Sequence, residues 1–360
     1  MRIPPSKSQL PAAHFTLHHG AYGIPKRPSN AKGKGREGEA DESDQLQAAE
    51  QPLLSVQVGE DAYFARHNSL GVADGVGGWN GKKGADPGLF ATRLMHHCSA
   101  AMALYENSPA EPFSSASKLS FISSSSTTSA SPAISSAPNG FPKSVGQGTP
   151  SMFPAAPTQK TQSDEDHSLN DSEDDPIEVL HKAWDSTLAE FFELELIGSS
   201  TALIAVLKDD ELRLANLGDC CCSIIRGDDY IFRSQEQQHS FNYPYQLGTS
   251  SHDTPRKDGQ RFNIKVQRDD IVILSSDGLV DNLFDEDILE EVMRHKLSPQ
   301  ALSQALCSRA KAVSEDQLAV ASPFQQRANE EGIHFVGGKH DDISVLVAVI
   351  GDGEPQSMGS

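Results

Sequence analysis

The chain has 360 residues, 37% hydrophobic and 22% charged, enough for one large domain or two small ones with a proper core. A formal net charge of −20 argues against a nucleic-acid backbone as partner, although bound cations can still supply positive charge locally at a phosphate-processing site. Five cysteines with no CxxC pair argue against a secreted disulfide framework and for a reducing compartment. No run is long and apolar enough to span a bilayer, and none resembles a secretory signal. The first 36 residues carry basic side chains and no acid, a bias like that of a mitochondrial transit peptide, but Pro4, Pro5 and Pro11 break any amphipathic helix there.

Residues 1–13 read as a basic tail and Phe15–Ile24 as a first strand and turn. After a polar excursion at 29–50, Ala62–Arg66 and Leu70–Ala73 read as a short strand pair turning around Asn68. Pro87–Tyr105 is expected to be helical, with proline in its first turn and Leu89, Phe90, Leu94 and Cys98 near one face. From 106 to 175, serine runs, scattered prolines and an acidic tract cannot bury enough apolar surface to offset ordering entropy, so a disordered insertion is expected. Pro176–Leu196 returns to helical spacing through Ile177, Leu180, Trp184, Leu188 and Phe191. Ser200–Leu207, Glu211–Asn216, Cys220–Arg226 and Tyr230–Ser234 then read as a meander, and Phe262–Val266 with Asp270–Ser276 as a hairpin. Helices are expected at Asp285–Leu297 and Pro299–Val313, and Ile343–Ile350 closes the core as a strand covered on both sides. The pattern predicts an α+β fold of two packed antiparallel sheets flanked by helices, a four-layer α-β-β-α sandwich. It forms one domain over 14–351, interrupted at 29–50 and 106–175 and followed by a tail at 352–360; a monomer is expected.

Four acidic patches, Glu60-Asp61, Asp74-Gly75, Asp277-Gly278 and Asp341-Asp342, each sit where a strand-like run meets a turn. Carboxylates converging at the ends of buried strands repel one another unless a cation neutralises them. Oxygen ligands without Cys or His in ligand spacing favour Mg²⁺ or Mn²⁺ over zinc. Two such ions can activate water and clamp a phosphoryl oxygen, so metal-assisted hydrolysis of a phosphate ester is the leading expectation. A metal-dependent nuclease would need a basic track, which this acidic chain lacks.

The motifs Gly59-Glu60-Asp61, Val72 through Trp79, Gly198 through Ala202, Ala215 through Asp219, Ser276 through Asn282 and Gly338 through Ser344 occur in the order of the metal-dependent serine/threonine phosphatases of type 2C. The chain resembles that family over most of its ordered length. Gly75 through Trp79, with Ser234 through His239, Phe241-Asn242 and Gln246-Leu247, is similar to its mitochondrial branch, the T-cell activation protein phosphatases. That resemblance implies hydrolysis of phosphoserine and phosphothreonine in phosphoprotein substrates, and a matrix location. It implies that Asp74 bridges two metals, with Glu60 and the Gly75 carbonyl on one ion and Asp277 and Asp341 on the other. Asp61 would act through water contacts, and Asp219 and Asp281 match positions that hold a third ion in some relatives.

Two family positions depart. Many members carry a histidine directly after the Asp-Gly pair and an arginine four residues before the glutamate; here Val76 and Val56 stand there. His239 and His340 are the candidate proton donors, and Arg66, Arg256 and Lys339 the candidate phosphate contacts. The departures also motivate a rival expectation, a pseudophosphatase scaffold that binds phosphoproteins.

Overall fold

Apolar runs buried on both faces become the middle strands of two antiparallel sheets in the computed structural model. It describes residues 15–26, 53–79, 81–107, 175–296, 298–316 and 321–353. The N-terminal tail, the 29–50 excursion and, apart from their edges, the 106–175 insertion and the C-terminal tail lie outside the described residues. Residues 1–108 and 171–360 form one unit and 109–170 a second, and every described residue belongs to the first.

In chain order come β1 (Phe15–Ile24), β2 (Val56–Val58), β3 (Asp61–Ala65), β4 (Ser69–Ala73), α1 (Pro87–Asn107) and α2 (Pro176–Glu193). Then follow β5 (Ser199–Ser200), β6 (Ala202–Lys208), β7 (Glu211–Leu217), β8 (Cys221–Arg226), β9 (Asp229–Arg233), β10 (Gln238–Ser240), β11 (Tyr243–Pro244) and β12 (Leu247–Gly248). The chain continues through α3 (Pro255–Asp258), β13 (Gln260–Lys265), β14 (Ile271–Ser275), α4 (Asp277–Val280), α5 (Asp285–His295), α6 (Pro299–Glu315), α7 (Pro323–Glu330) and β15 (Ile343–Asp352). One sheet has the order β1-β15-β14-β8-β9 and the other β13-β7-β6-β4-β3-β2.

Period-two alternation sorts side chains into three cores. Along β15, Leu346, Ala348 and Ile350 enter the core between the sheets with Leu17, Leu70, Val72, Leu203 and Leu274. Val345 and Val347 point the other way, to Ile288, Val292, Leu302 and Leu306 of α5 and α6. On the second sheet Ile204 and Val206 meet α1 and α2, where the rings of Phe90 and Phe191 touch edge to face at 5.0 Å. This is the expected α-β-β-α sandwich. The cysteine run obeys the same rule: Cys220 and Cys222 enter the inter-sheet core, and all five cysteines are buried thiols.

Local chemistry sets the helix ends. Asp175 accepts from Ile177 N at 3.0 Å and Pro176 follows, so α2 starts where an N-cap and an N1 proline coincide. It stops at Glu193, short of the expected Leu196, because Glu195 adopts φ 54°. The sequence reading did not anticipate β2, β5, β10 to β12, α3, α4 or α7. Strands of two or three residues and four-residue helices show no period, and α7 buries only Phe324 and Ala328.

Candidate metal centre

The two sheets deliver their acidic residues to one end of the sandwich. Asp61 opens β3 and Asp74 leaves the end of its antiparallel neighbour β4. Asp277 follows the end of β14 as the first residue of α4, and Asp341 and Asp342 precede β15, which pairs with β14. Asp219 follows β7 through Gly218 at φ 113°. Carboxylate oxygens of Asp74, Asp219 and Asp277 lie within 4.8 Å of one another.

The backbone around them is tied down. Asp74 N donates to Thr201 Oγ1 at 3.1 Å and Thr201 N to Asp74 O at 2.9 Å, while Gly75 N donates to Glu60 O at 3.1 Å. Asp342 serves as a clamp, accepting from Lys26 N at 2.6 Å and Glu60 N at 2.9 Å. Gly59 sits at φ 63°, and a Cβ there would come 2.1 Å from Asp342 Oδ1, so only glycine admits that clamp. The Gly-Gly-Trp turn after Val76 is pinned where Trp79 Nε1 donates to Ser199 Oγ at 2.6 Å, and that hydroxyl donates to Gln246 Oε1 at 2.6 Å.

Charge here is concentrated and dry. Burial, then the charges of Asp342 and Asp341, push the Asp61 carboxyl well above the usual carboxylate range. Burial, then Asp277, Asp61, Asp341 and Asp219, does the same to Asp74, and burial with Asp277 raises Asp219. The Ser276 and Ser344 hydroxyls offset part of the shift at Asp61, whereas Oδ1 of Asp219 and of Asp277 are buried without a hydrogen-bond partner among the described residues. Facing buried acceptors without donors form the set that a hard divalent ion satisfies, so the residues present fit Mg²⁺ or Mn²⁺.

Two lysines reach into the cluster. Lys26 Nζ lies 3.1 Å from Glu60 Oε2 and 3.3 Å from Asp341 Oδ1. Lys339 Nζ meets Asp277 Oδ2, Asp281 Oδ2 at 2.6 Å and Asp341 Oδ2 at 3.2 Å. Burial works against the charged Lys339, but Asp277, Asp281 and Asp341 outweigh it and hold the ammonium protonated. Arg327 of α7 pairs with the other oxygen of Asp281 and, at 2.7 Å, with Glu236.

Glu60, Asp61, Asp74, Gly75, Asp219, Asp277, Asp281 and Asp341 are thus gathered at one end of the sandwich. Of the three basic residues expected at the phosphate, only Lys339 stands in the cluster. Arg66 follows the far end of β3, about 16 Å of strand from Asp61. Arg256 pairs with Glu178 of α2 at 2.7 Å. The structure does not bring either of these two arginines to the carboxylates described above. His239 Nε2 bonds Asp253 Oδ2 at 2.9 Å and its ring stacks on Tyr245 at 3.9 Å, whereas His340 is exposed beside Asp341. Lys26, Arg327 and the Asp342 clamp were missed. Ser322-Pro323, an N-cap followed by an N1 proline, was the available signal for α7 and hence for Arg327; Lys26 carries no local signal.

Carboxyls raised in the folded state keep their protons where the unfolded chain has lost them. That contribution to stability is full below the ordinary carboxylate pKa and is lost as pH rises through the folded value. A divalent ion competes with those protons. The increase in Tm on saturation with Mn²⁺ should therefore be larger at pH 7.5 than at pH 5.5 by scanning fluorimetry; equal increments would contradict this charge balance.

A family profile described as Stage II sporulation protein E (SpoIIE) matches residues 145–350. The chain is 31% identical over 297 residues to "Probable protein phosphatase 2C 80" of Arabidopsis thaliana, covering 81% of this chain and 54% of that protein. It is 31% identical over 313 residues to "Protein phosphatase PTC7 homolog" of Danio rerio, covering 82% of each chain, and equally identical to the Homo sapiens homolog, covering 80% of it. The chain spans about half the length of the plant relatives, 54% and, for "Probable protein phosphatase 2C 55", 48%. Among solved structures, "X-ray structure of the photosystem II phosphatase PBCP" superposes with a TM-score of 0.60 at 23% identity, covering 93% of this chain and 99% of that one, a likeness of fold.

Proposed function

Because the chain belongs to the type 2C protein phosphatase family, we propose that it hydrolyses phosphoserine and phosphothreonine in proteins with the help of two divalent ions, Mg²⁺ or Mn²⁺. The observation that carries this reading is the approach of Asp74, Asp219 and Asp277 to within 4.8 Å, with buried acceptor oxygens that no donor of the described chain meets. Asp74, Asp219 and Asp277, with Glu60, the Gly75 carbonyl and Asp341, would hold the ions. When bound, the ions supply Lewis acidity, making water nucleophilic near neutral pH and drawing charge from the phosphoryl oxygens.

The chain's own residues orient this chemistry. Asp342 fixes the Glu60 amide, and Thr201 holds the backbone of Asp74, so the ligands are set before substrate arrives. Lys339 places positive charge beside Asp277. His340, exposed and next to Asp341 in the chain, and His239, bonded to Asp253, would be the candidates to hand a proton to a departing serine or threonine oxygen.

The competing reading, a scaffold that binds phosphoproteins without turnover, draws on Val76 and on Val56, which is 49% exposed and offers no charge. Hydrolysis of a phosphothreonine peptide by the purified protein, with Mn²⁺, Mg²⁺ or EDTA, separates the two. Activity that needs metal is expected; metal binding without release of phosphate would favour the scaffold. Matrix location and phosphoprotein substrates in that compartment belong to the same proposal and rest on the branch resemblance.

A further inference from the structure

Lys339 occupies the position of an ion more than that of a surface lysine. Its ammonium is shared by Asp277 and Asp281, at the two ends of α4, and by Asp341, two residues along its own segment, and its side chain is 15% exposed. The base from which it reaches is fixed: Lys339 N donates to Asn282 Oδ1 at 2.9 Å, and Asn282 Nδ2 donates to Lys339 O at 3.0 Å and Gly278 O at 2.9 Å. The Phe324 ring closes the remaining side, 5.1 Å from Nζ.

The consequence falls on Asp281. One of its oxygens is held by Lys339 and the other by Arg327, so both are paired with cationic side chains. An ion bound there would have to displace a tethered ammonium, whose loss of contact would leave a positive charge in a nearly dry site. Asp219 Oδ1 and Asp277 Oδ1 are different, because no donor among the described residues meets either.

We propose that Lys339 is a built-in cation that fills the Asp281 side of the carboxylate cluster, so that Asp281 is a partner of Lys339 and not a metal ligand. Divalent ions are then confined to the side formed by Asp74, Asp219 and Asp277 with Glu60; Lys339 shares Asp277 with them through the opposite oxygen, and Asp341, whose oxygens meet Lys26 at 3.3 Å and Lys339 at 3.2 Å, is open to an ion only where the half-buried Lys26 withdraws. This inference rests on the metal-dependent reading above.

The test counts ions instead of turnover. Mn²⁺ is titrated calorimetrically into the full chain and into Asp281→Asn, Lys339→Met and Lys339→Arg. Asp281→Asn should keep the parent stoichiometry and affinity within about twofold, since it removes no ligand. Lys339→Met should bind one further ion, or bind its weakest ion about tenfold tighter or more, because a unit positive charge leaves the site; Lys339→Arg should follow the parent. Loss of one ion in Asp281→Asn, or an unchanged isotherm in Lys339→Met, overturns the proposal. Should Lys339→Met fail to fold, the Asp281→Asn count decides alone. A parent chain that binds no Mn²⁺ overturns the metal-dependent reading together with this one, whereas a parent that binds it beside contrary variants overturns only this one.

Discussion

Replacing Asp74 by asparagine is expected to lower kcat/KM on a phosphothreonine peptide by about 10³-fold, or roughly 4 kcal/mol of transition-state stabilisation. The variant should nevertheless fold. Asparagine has almost the same volume, and the hydrogen bonds that fix this residue, Asp74 N to Thr201 Oγ1 and Thr201 N to Asp74 O, use the backbone. The carboxylate is the part that the metal-free protein tolerates at a cost, since burial and its acidic neighbours Asp277, Asp61, Asp341 and Asp219 all oppose its ionisation. Removing it should raise the Tm measured in EDTA by a few degrees, about 2–4 °C per kcal/mol for an ordered domain of this size. Loss of turnover together with a gain in metal-free stability is the signature of a ligand position. Activity within tenfold of the parent would remove Asp74 from the centre of the mechanism.

The second large effect is expected from Gly278→Ala, through shape alone. A Cβ at Gly278 would lie 2.1 Å from Asp342 O and 3.1 Å from Ile343 Cγ1, against the backbone that leads into β15. That backbone cannot yield without carrying Asp341 away from Asp277, so the overlap strains the fold and opens the site together. A loss of about 3 kcal/mol or more is expected, with Tm lower by roughly 6–12 °C and weakened Mn²⁺ binding. Gly78→Ala is the comparison, because its Cβ would meet nothing closer than Val76 Cγ1 at 3.9 Å. If the two variants melt together in urea and heat, the close approach of α4 and β15 is not what positions Asp341.

Much of this is legible in the amino-acid sequence. Each of the main strands shows in the local period of apolar residues, because the face a residue presents depends on its parity along the strand, which a sequence displays directly. The acidic residues at strand ends showed too, as carboxylates where a buried run meets a turn. The partner of a long side chain has no such signature. Arg66, Arg256 and His239 looked as suitable for the site as Lys339 by residue type, and only the placement of β3, α3 and β10 separates them. Lys26 is the clearest case, for it meets Asp341 across 315 residues of chain.

The sequence by itself determined the four layers, the two sheets and the set of carboxylates that turn inward at their ends, because burial and turn chemistry act over a few residues. Tertiary structure decided which cations enter that set: Lys26 brought in by the pairing of β1 with β15, Lys339 from the segment before β15, and Arg327 from an eight-residue helix. The physical reason is that electrostatic pairing depends on distance in space, which is fixed only when strands far apart in sequence find their register.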